Sequence, residues 1–358
     1  MGSGSVQTDP LPSGAISLRL NYSTVLSACK PKVLRLHSLT LAPLGMTISI
    51  KGIEPPGLSD SRASISMVGV PSKGSSKLTV LNSDPLSKIS WLIHGFSTRT
   101  GGASRPYGGK SFNLGFTKED SRSAVEKNRA AFLKKLGATK NGRPLPLVTL
   151  RQIHSDLIHP VTETPKQAMV GDGLITNTPG ILLAIQTADC LPVILVDTQH
   201  RAVGVFHAGW RGTIQRIVEK GVGEMRRQFG TMPRDIKAAI GPGVHGCCYQ
   251  VGHEVRDKFE AQFAYAASLF RETKETNEIH ERYPLLFLTA RAPGHSELPK
   301  KIFLDLVEAN RQQLRAVGVL AKNITASPLC TACNPDKLFS YRTEKGVTGR
   351  LMGVVGIK

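Results

Sequence analysis

The chain has 358 residues, 40% of them hydrophobic and 20% charged, which is typical of a globular protein with one large or two ordinary domains. The net charge of +19 would suit nucleic-acid binding. However, the basic residues are scattered and no nucleic-acid-binding motif occurs, so we expect attraction to small anions such as phosphate instead. No apolar run reaches the roughly 20 residues needed to cross a bilayer, which argues against a membrane protein.

The first 85 residues differ in composition from the rest. They are rich in Ser, Pro, Leu and Gly, and the acidic residues before position 60 are Asp9 and Glu54. This pattern predicts a disordered extension, and the alternatives are organelle targeting and a start codon placed too early, with Met46 or Met67 as the later start. A catalytic domain is predicted from residue 86 to residue 358.

Strand-like and helix-like patterns alternate irregularly after residue 86, which predicts a single mixed α/β domain. Strands are predicted at 89–96, 147–152, 181–186, 202–206, 236–240 and 351–357, and helices at 125–136, 213–230, 252–268 and 301–317. Thr213 is the predicted N-cap of its helix, and Phe303 is placed on the buried side of the last one.

Cysteine usage indicates a reducing compartment, and we expect a cytoplasmic protein. The six cysteines are Cys29, Cys190, Cys247, Cys248, Cys330 and Cys333. They are too few for a disulfide scaffold in a chain of this length. The C-x2-C pair of Cys330 and Cys333 has no second pair after it and is weak evidence for zinc.

Three reactive side chains stand at predicted strand ends: His154, Cys190 and His207. If they converge, they form a three-ligand set of the kind found in catalytic zinc sites, with a fourth position open for water or substrate. The alternative without function is a buried structural Cys190 and a His207 that only ends its strand.

A second interpretation needs no metal. Cys190 would be a nucleophile, His207 its base, and Asp189 or Gln152 the residue that orients the pair. Copper oxidase chemistry is rejected, because no His-x-His pair occurs in the sequence and one Cys with two His gives too few ligands for a multicopper electron relay.

The turn at 97–102 is rich in glycine and contains Arg99. Its backbone N–H groups and the guanidinium could hold a carboxylate or phosphate. An ordinary hairpin with a solvated Arg99 is the alternative.

Several longer motifs occur together in the second part of the chain. They are His94-Gly-Phe-Ser-Thr-Arg99 with Gly101-Gly102, Gln152-x-His154, Thr187-Ala-Asp-Cys190-x-Pro192, His207-Ala-Gly-Trp-Arg-Gly212, Gly241-Pro-Gly243 with Cys248-Tyr249-x-Val251-Gly252, and Ser340-Tyr-Arg342 with Gly349-Arg350. In this set and order, spanning roughly residues 89–358, the chain resembles the laccase-domain, YfiH-like family. Members carry an older polyphenol oxidase label and are described as purine nucleoside phosphorylases.

The resemblance implies a layered α/β/β/α sandwich and Zn²⁺ bound by His154, Cys190 and His207. It implies phosphorolysis of adenosine, inosine, guanosine and methylthioadenosine, together with adenosine deamination. Arg99 and Arg211 would then hold phosphate as bidentate anion binders. Gln152 and Asp189 are the other expected substrate-binding residues. The family commonly has Glu after the tyrosine at 249, whereas this chain has Gln250.

The leading hypothesis is therefore a zinc-dependent purine nucleoside phosphorylase with adenosine deaminase activity, whose partners are purine nucleosides and phosphate. The alternative is a hydrolase or amidase that depends on Cys190 and His207, acting for instance on cell-wall precursors. A binding module without catalytic activity is a third class. The sequence does not indicate the oligomeric state.

Overall fold

The computed structural model describes residues 77–274 and 300–358, together with two short strands at Thr40–Leu41 and Met46–Thr47. The chain divides into two compact units. In the first, Met1–Gly52, the described part is the antiparallel pair of these two strands. The second, Ile53–Lys358, contains the other described elements. Most of the predicted extension at 1–85 lies outside the described residues.

Twenty-one strands occur in the described part of the chain. They are β1 (Thr40–Leu41), β2 (Met46–Thr47), β3 (Val80–Leu81), β4 (Leu92–Ser97), β5 (Thr100–Ser104), β6 (Thr139–Lys140), β7 (Arg143–Pro144), β8 (Leu147–Val148), β9 (Leu150–Arg151), β10 (Ile158–Pro160), β11 (Met169–Val170), β12 (Gly173–Thr176), β13 (Leu182–Thr187), β14 (Leu191–Asp197), β15 (Ala202–Ala208), β16 (Ile236–Ile240), β17 (Gln250–Val251), β18 (Phe270–Lys274), β19 (Lys300–Leu304), β20 (Ile324–Ala326) and β21 (Leu351–Ile357).

Six α-helices occur in the same residues, and none has the length and apolar character that crossing a bilayer demands. They are α1 (Asp84–Ser87), α2 (Arg122–Lys135), α3 (Trp210–Ile214), α4 (Ile217–Phe229), α5 (His253–Gln262) and α6 (Leu306–Ala316). Side-chain caps define two of their starts: Ser121 accepts the N–H of Ala124 in α2, and Asp305 accepts the N–H of Glu308 in α6.

Two mixed sheets form the centre of the second unit. One has the strand order β10-β12-β15-β14-β16-β20, and the other has the order β3-β4-β21-β13-β8. They pack against each other, with β15 touching both β13 and β21. The strands β14 and β15 are buried along their whole length, as the continuous apolar runs of their sequences require.

Three apolar layers hold the sheets and helices together. One fills the space between the sheets, the second lies between the six-stranded sheet and α4, α5 and α6, and the third packs α2 against the five-stranded sheet. The second unit is therefore a mixed α/β fold in four layers. The predicted α/β/β/α sandwich is confirmed.

The predicted helix at 213–230 is wrong at its start. Thr213 lies inside α3, which begins after Gly209, and Arg216 then interrupts the helix in the left-handed region at φ 64°. The predicted end is confirmed: Gly230, at φ 73°, closes α4.

Two further predictions differ from the structure. Phe303 lies in β19, and α6 begins only after Asp305, because a short apolar run fits a strand as well as a helix and the cap decides the boundary. The buried strand β14 is not among the strands predicted from the sequence. The domain boundary at residue 86 stays a prediction, although β3 already pairs with β4 before it.

Candidate metal centre

Strand register brings Cys190 and His207 together at the same end of β14 and β15, two central strands of the six-stranded sheet. In the antiparallel pair of β14 and β15, Pro192 lies opposite His207. Cys190 immediately precedes β14 and therefore lies next to this position. On the other side, β12 pairs with β15 so that Gly173 is opposite Phe206, which places Asp172 beside His207.

The buried carboxylate of Asp172 organises the loop that carries His154. It accepts the backbone N–H groups of Ile153, His154 and Ser155 at 3.2, 3.0 and 2.6 Å. It also accepts the Ser155 hydroxyl at 2.7 Å and Nδ1 of His207 at 2.8 Å. These bonds hold His154 in the left-handed region at φ 61°, a conformation that a non-glycine residue keeps only when its surroundings impose it.

The candidate ligand atoms of His154, Cys190 and His207 all lie within 4.8 Å of one another. The two imidazole rings meet at 67° with 4.8 Å between their centroids. Because Asp172 occupies Nδ1 of His207, Nε2 is the nitrogen left to bind a metal, an arrangement common around zinc. Two imidazoles and one thiolate fit a catalytic zinc ion.

Gly209 lets the three side chains approach this closely. A Cβ at this position would lie 2.8 Å from Sγ of Cys190 and 3.2 Å from Cδ2 of His154. Any larger residue would push the thiol or the imidazole out of the group.

The charges of the site favour a thiolate at Cys190. Burial raises the pKa of Cys190, but His207 and His154 outweigh it and bring this pKa to about 6. Burial lowers the pKa of His207, yet Cys190 and Asp172 raise it to about 9. The carboxyl of Asp172 has its pKa raised by burial, and its bonds to His207 and Ser155 lower it to about 2. The thiol is therefore poised to be a thiolate, the form that binds metals.

A cavity of about 810 Å³ opens onto these three side chains, within the range of small-molecule sites. Aromatic and cationic residues share its wall. The aromatic ones are Trp210, Tyr249 and Tyr341, and the cationic ones are Arg211, Arg342, Lys345 and Arg350.

Gln152 and Asp189 line this cavity, but polar atoms of both side chains are hydrogen-bonded to other residues of the protein. The amide of Gln152 donates to the carbonyl of Gln186 and accepts its N–H, each at 2.8 Å. The Asp189 carboxylate accepts the Thr331 hydroxyl at 2.6 Å and the backbone N–H of Arg342 at 2.8 Å. It does not hold His207; among the described residues, Asp172 takes that position.

The two predicted anion-binding arginines lie in different settings. Arg211 lines the cavity and stacks on Trp210, 4.4 Å from the ring centroid. Arg99 is not among the lining residues. It pairs with Glu344 at 2.9 Å and donates to the carbonyls of Pro335 and Tyr107, contacts that support the segment around Glu344 rather than a ligand.

Sequence reasoning missed several residues of this site. Asp172 lies in a Gly-Asp-Gly sequence that carries only a turn signal, and its contact with His207 depends on strand register. Arg342 and Tyr249 belong to the motifs quoted above but had no assigned role. In the structure Arg342 stacks on Tyr249, 4.9 Å from the ring centroid.

The family model described as "Multi-copper polyphenol oxidoreductase laccase" matches residues 93–358. The chain belongs to this family. The predicted resemblance is thereby confirmed, and the copper in the description is part of the family's label.

Named relatives agree with this assignment. Purine nucleoside phosphorylase YlmD of Bacillus subtilis (strain 168) is 30% identical over 277 residues, which cover 75% of this chain and 89% of that protein. Adenosine deaminase RL5 of an unknown prokaryotic organism is 38% identical over 206 residues, 55% of this chain and 69% of that one. The solved structure of hypothetical protein YfiH of Bacillus licheniformis aligns with a TM-score of 0.65 at 31% identity, covering 78% of this chain and 97% of that one.

Proposed function

We propose that this chain is a zinc-dependent purine nucleoside phosphorylase that also deaminates adenosine. The observation that carries the proposal is the His154–Cys190–His207 group at the wall of a cavity with a cationic and aromatic lining. The names of the relatives, one group phosphorylases and one a deaminase, point in the same direction.

The lining suits the two reactants of phosphorolysis. Trp210, Tyr249 and Tyr341 offer ring faces for a purine base. Arg211 and Arg342 are each stacked on an aromatic ring, which limits their rotamers while leaving guanidinium edges to bind phosphate oxygens.

Zinc held by the three candidate ligands would supply a Lewis acid with one open position for water or a substrate oxygen. Asp172 fixes the tautomer of His207 and the loop of His154. Gln152 joins the loop before His154 to Gln186 at the end of β13. Asp189 links the Cys190 turn to Thr331 and Arg342.

One observation favours the alternative hydrolase. A Cys190 pKa of about 6 beside a His207 pKa of about 9 describes a thiolate–imidazolium pair, the resting state of many cysteine nucleophiles. The same pair is also ready to bind a metal on loss of the imidazolium proton. Metal analysis with thiol alkylation separates the two activities.

The test measures free base, ribose 1-phosphate and inosine formed from adenosine by the full chain, with and without phosphate. Zinc and copper are quantified in the same sample. Base release that needs phosphate, with about one zinc per chain lost in His154→Ala, supports the proposal. A metal-loaded protein that yields neither base nor inosine from purine nucleosides would refute it.

Arg342→Met tests the phosphate contact. Loss of a charge-assisted hydrogen bond costs about 1.5–3 kcal/mol, so KM for phosphate should rise roughly 10- to 100-fold. Arg122→Met is the matched control, because Arg122 also lies over an aromatic ring, that of Phe116, but does not line the cavity. Equal phosphate KM values in the two variants would remove Arg342 from the proposed phosphate site.

A further inference from the structure

Four cysteines from two distant segments lie together outside the centre described above. We call them the cysteine cluster: Cys247, Cys248, Cys330 and Cys333. Their sulfur atoms are all within 4.8 Å of one another. Sγ of Cys333 is 3.5 Å from that of Cys247 and 3.3 Å from that of Cys248.

These separations match one metal ion. Four sulfurs at the Zn–S distance of about 2.3 Å in a tetrahedron are roughly 3.8 Å apart. We propose that the cysteine cluster is a tetrathiolate zinc site, separate from the His154–Cys190–His207 centre. The folded chain supplies the second cysteine pair that the C-x2-C motif lacked in the sequence, because Cys247 and Cys248 precede it by more than 80 residues.

The backbone around the cluster is already arranged for such a site. Gly243 and Cys330 form a parallel bridge, and the N–H of Thr331 donates to the Gly243 carbonyl at 2.9 Å. The N–H of His245 donates to Sγ of Cys330 at 3.5 Å. Amide donors of this kind stabilise the negative charge of a thiolate ligand.

Thiolate ligands select zinc, Cu(I) or iron. An iron–sulfur cluster spreads its cysteines over several irons and therefore holds them farther apart than the ligands of one ion. Four thiolates and one Zn²⁺ carry a net charge of about −2, which suits a chain with a net charge of +19.

The oxidation state of Cys333 decides whether the cysteine cluster has a fourth thiolate ligand. Cys333 is disulfide-bonded in the structure, so ligation and this disulfide are alternative states of one sulfur. Cys247, Cys248 and Cys330 offer three ligands in either state. A dithiol reductant donates two electrons and two protons to this disulfide: the sulfur–sulfur bond of the protein breaks, Cys333 and its partner become thiols, and the reductant is oxidised to a cyclic disulfide. Zinc binding should therefore be tightest in the reduced protein.

The cluster connects two segments that form the wall of the candidate active site. Val244 and Tyr249 flank the first cysteine pair and line the cavity. Thr331, inside the second pair, holds Asp189 through its hydroxyl. The zinc would thus be structural, fixing the loops that carry these residues.

The test uses the full chain, reduced with a dithiol under anaerobic conditions and titrated with zinc or Co²⁺ alone. About two metal equivalents per chain are expected, and the Co²⁺ form should show strong thiolate-to-metal charge-transfer absorption. Cys247→Ser with Cys248→Ser should lose one equivalent and most of that absorption. Cys190→Ser should also lose one equivalent but keep most of the absorption, because the cluster has four of the five sulfur ligands.

Cys247→Ser alone is the conservative variant, since Cys247 is exposed and its loss should leave the fold intact by circular dichroism. This variant should release zinc from the cluster to a chelator at least tenfold faster than the wild type. The proposal is overturned if the variant with both Cys247→Ser and Cys248→Ser binds as many metal equivalents as the reduced wild type, or if the bound metal is unaffected by every substitution in the cluster. Neither result bears on the phosphorylase proposal, which depends on the other centre.

Discussion

Asp172→Asn tests whether the buried carboxylate assembles the candidate metal centre. Asp172 accepts three backbone N–H groups, one hydroxyl and one imidazole nitrogen. An amide keeps one acceptor oxygen and replaces the other with a donor. If the NH₂ faces His207, it favours the tautomer with the proton on Nε2, which blocks the metal-binding nitrogen. If it faces Ser155, two backbone donors and a hydroxyl lose their acceptor.

In both orientations the lost contacts should lower the metal affinity and the free energy of unfolding. Substitution of a residue that orients a metal ligand typically weakens metal affinity 10- to 100-fold, or about 1.4–2.8 kcal/mol. We also expect the free energy of unfolding of the metal-free protein to fall by roughly 2–4 kcal/mol, because buried N–H groups lose a charged acceptor.

Zinc affinity is measured by competition with a chelator, and stability by denaturant unfolding of the metal-free protein. Asp197→Asn is the matched control. Asp197 is also fully buried and accepts backbone N–H groups and Nδ1 of a histidine, His200. It ends β14, whose other end follows Cys190, about 20 Å away. The control should lose stability and keep its zinc affinity. Equal zinc affinity in Asp172→Asn and wild type would refute the role given to Asp172.

Two further predictions concern stability away from the site. Burial lowers the pKa of His94 from 6.5 to about 4, so its stabilising contribution is complete above pH 6.5 and is lost as the pH falls towards 4. About 2 kcal/mol of unfolding free energy should disappear between roughly pH 7.5 and pH 5, and His94→Gln should lack this component of the pH dependence; identical pH profiles would contradict the assignment. In α4, Gly223→Ala should stabilise the protein by about 0.5–1 kcal/mol, since a Cβ there meets nothing within 4 Å. Gly221→Ala should destabilise it by about 1–3 kcal/mol, since its Cβ would lie 2.5 Å from the buried Phe206 ring; thermal unfolding compares the pair, and two changes of the same sign would be inconsistent with this packing.

Local pattern was sufficient for many elements of the fold. The 3–4 spacing of apolar residues identified α2, and the continuous apolar run at 351–357 identified β21, which has those bounds in the structure. Both signals are local, because the apolar pattern of a helix or a buried strand can be recognised from consecutive residues alone. Family motifs added the layered sandwich, which no local pattern could have supplied.

Local pattern was insufficient where two structures compete for the same residues. Phe303 fits a helix face and a strand equally well, and the side-chain cap of Asp305 selects the strand for the residues before it. Arg216 carries no sequence signal for the left-handed conformation that divides α3 from α4.

Residue types were enough to nominate His154, Cys190 and His207 as a group, because the chemistry of a thiol and two imidazoles does not depend on where they lie in the chain. The order of the motifs was enough to assign the chain to its family. Which neighbours serve that group depends on strand pairing. Asp172 rather than Asp189 supports His207, Arg342 rather than Arg99 reaches the cavity, and two cysteine pairs more than 80 residues apart become one cluster. Register and loop packing set these distances, and both arise from contacts between segments that are remote along the chain.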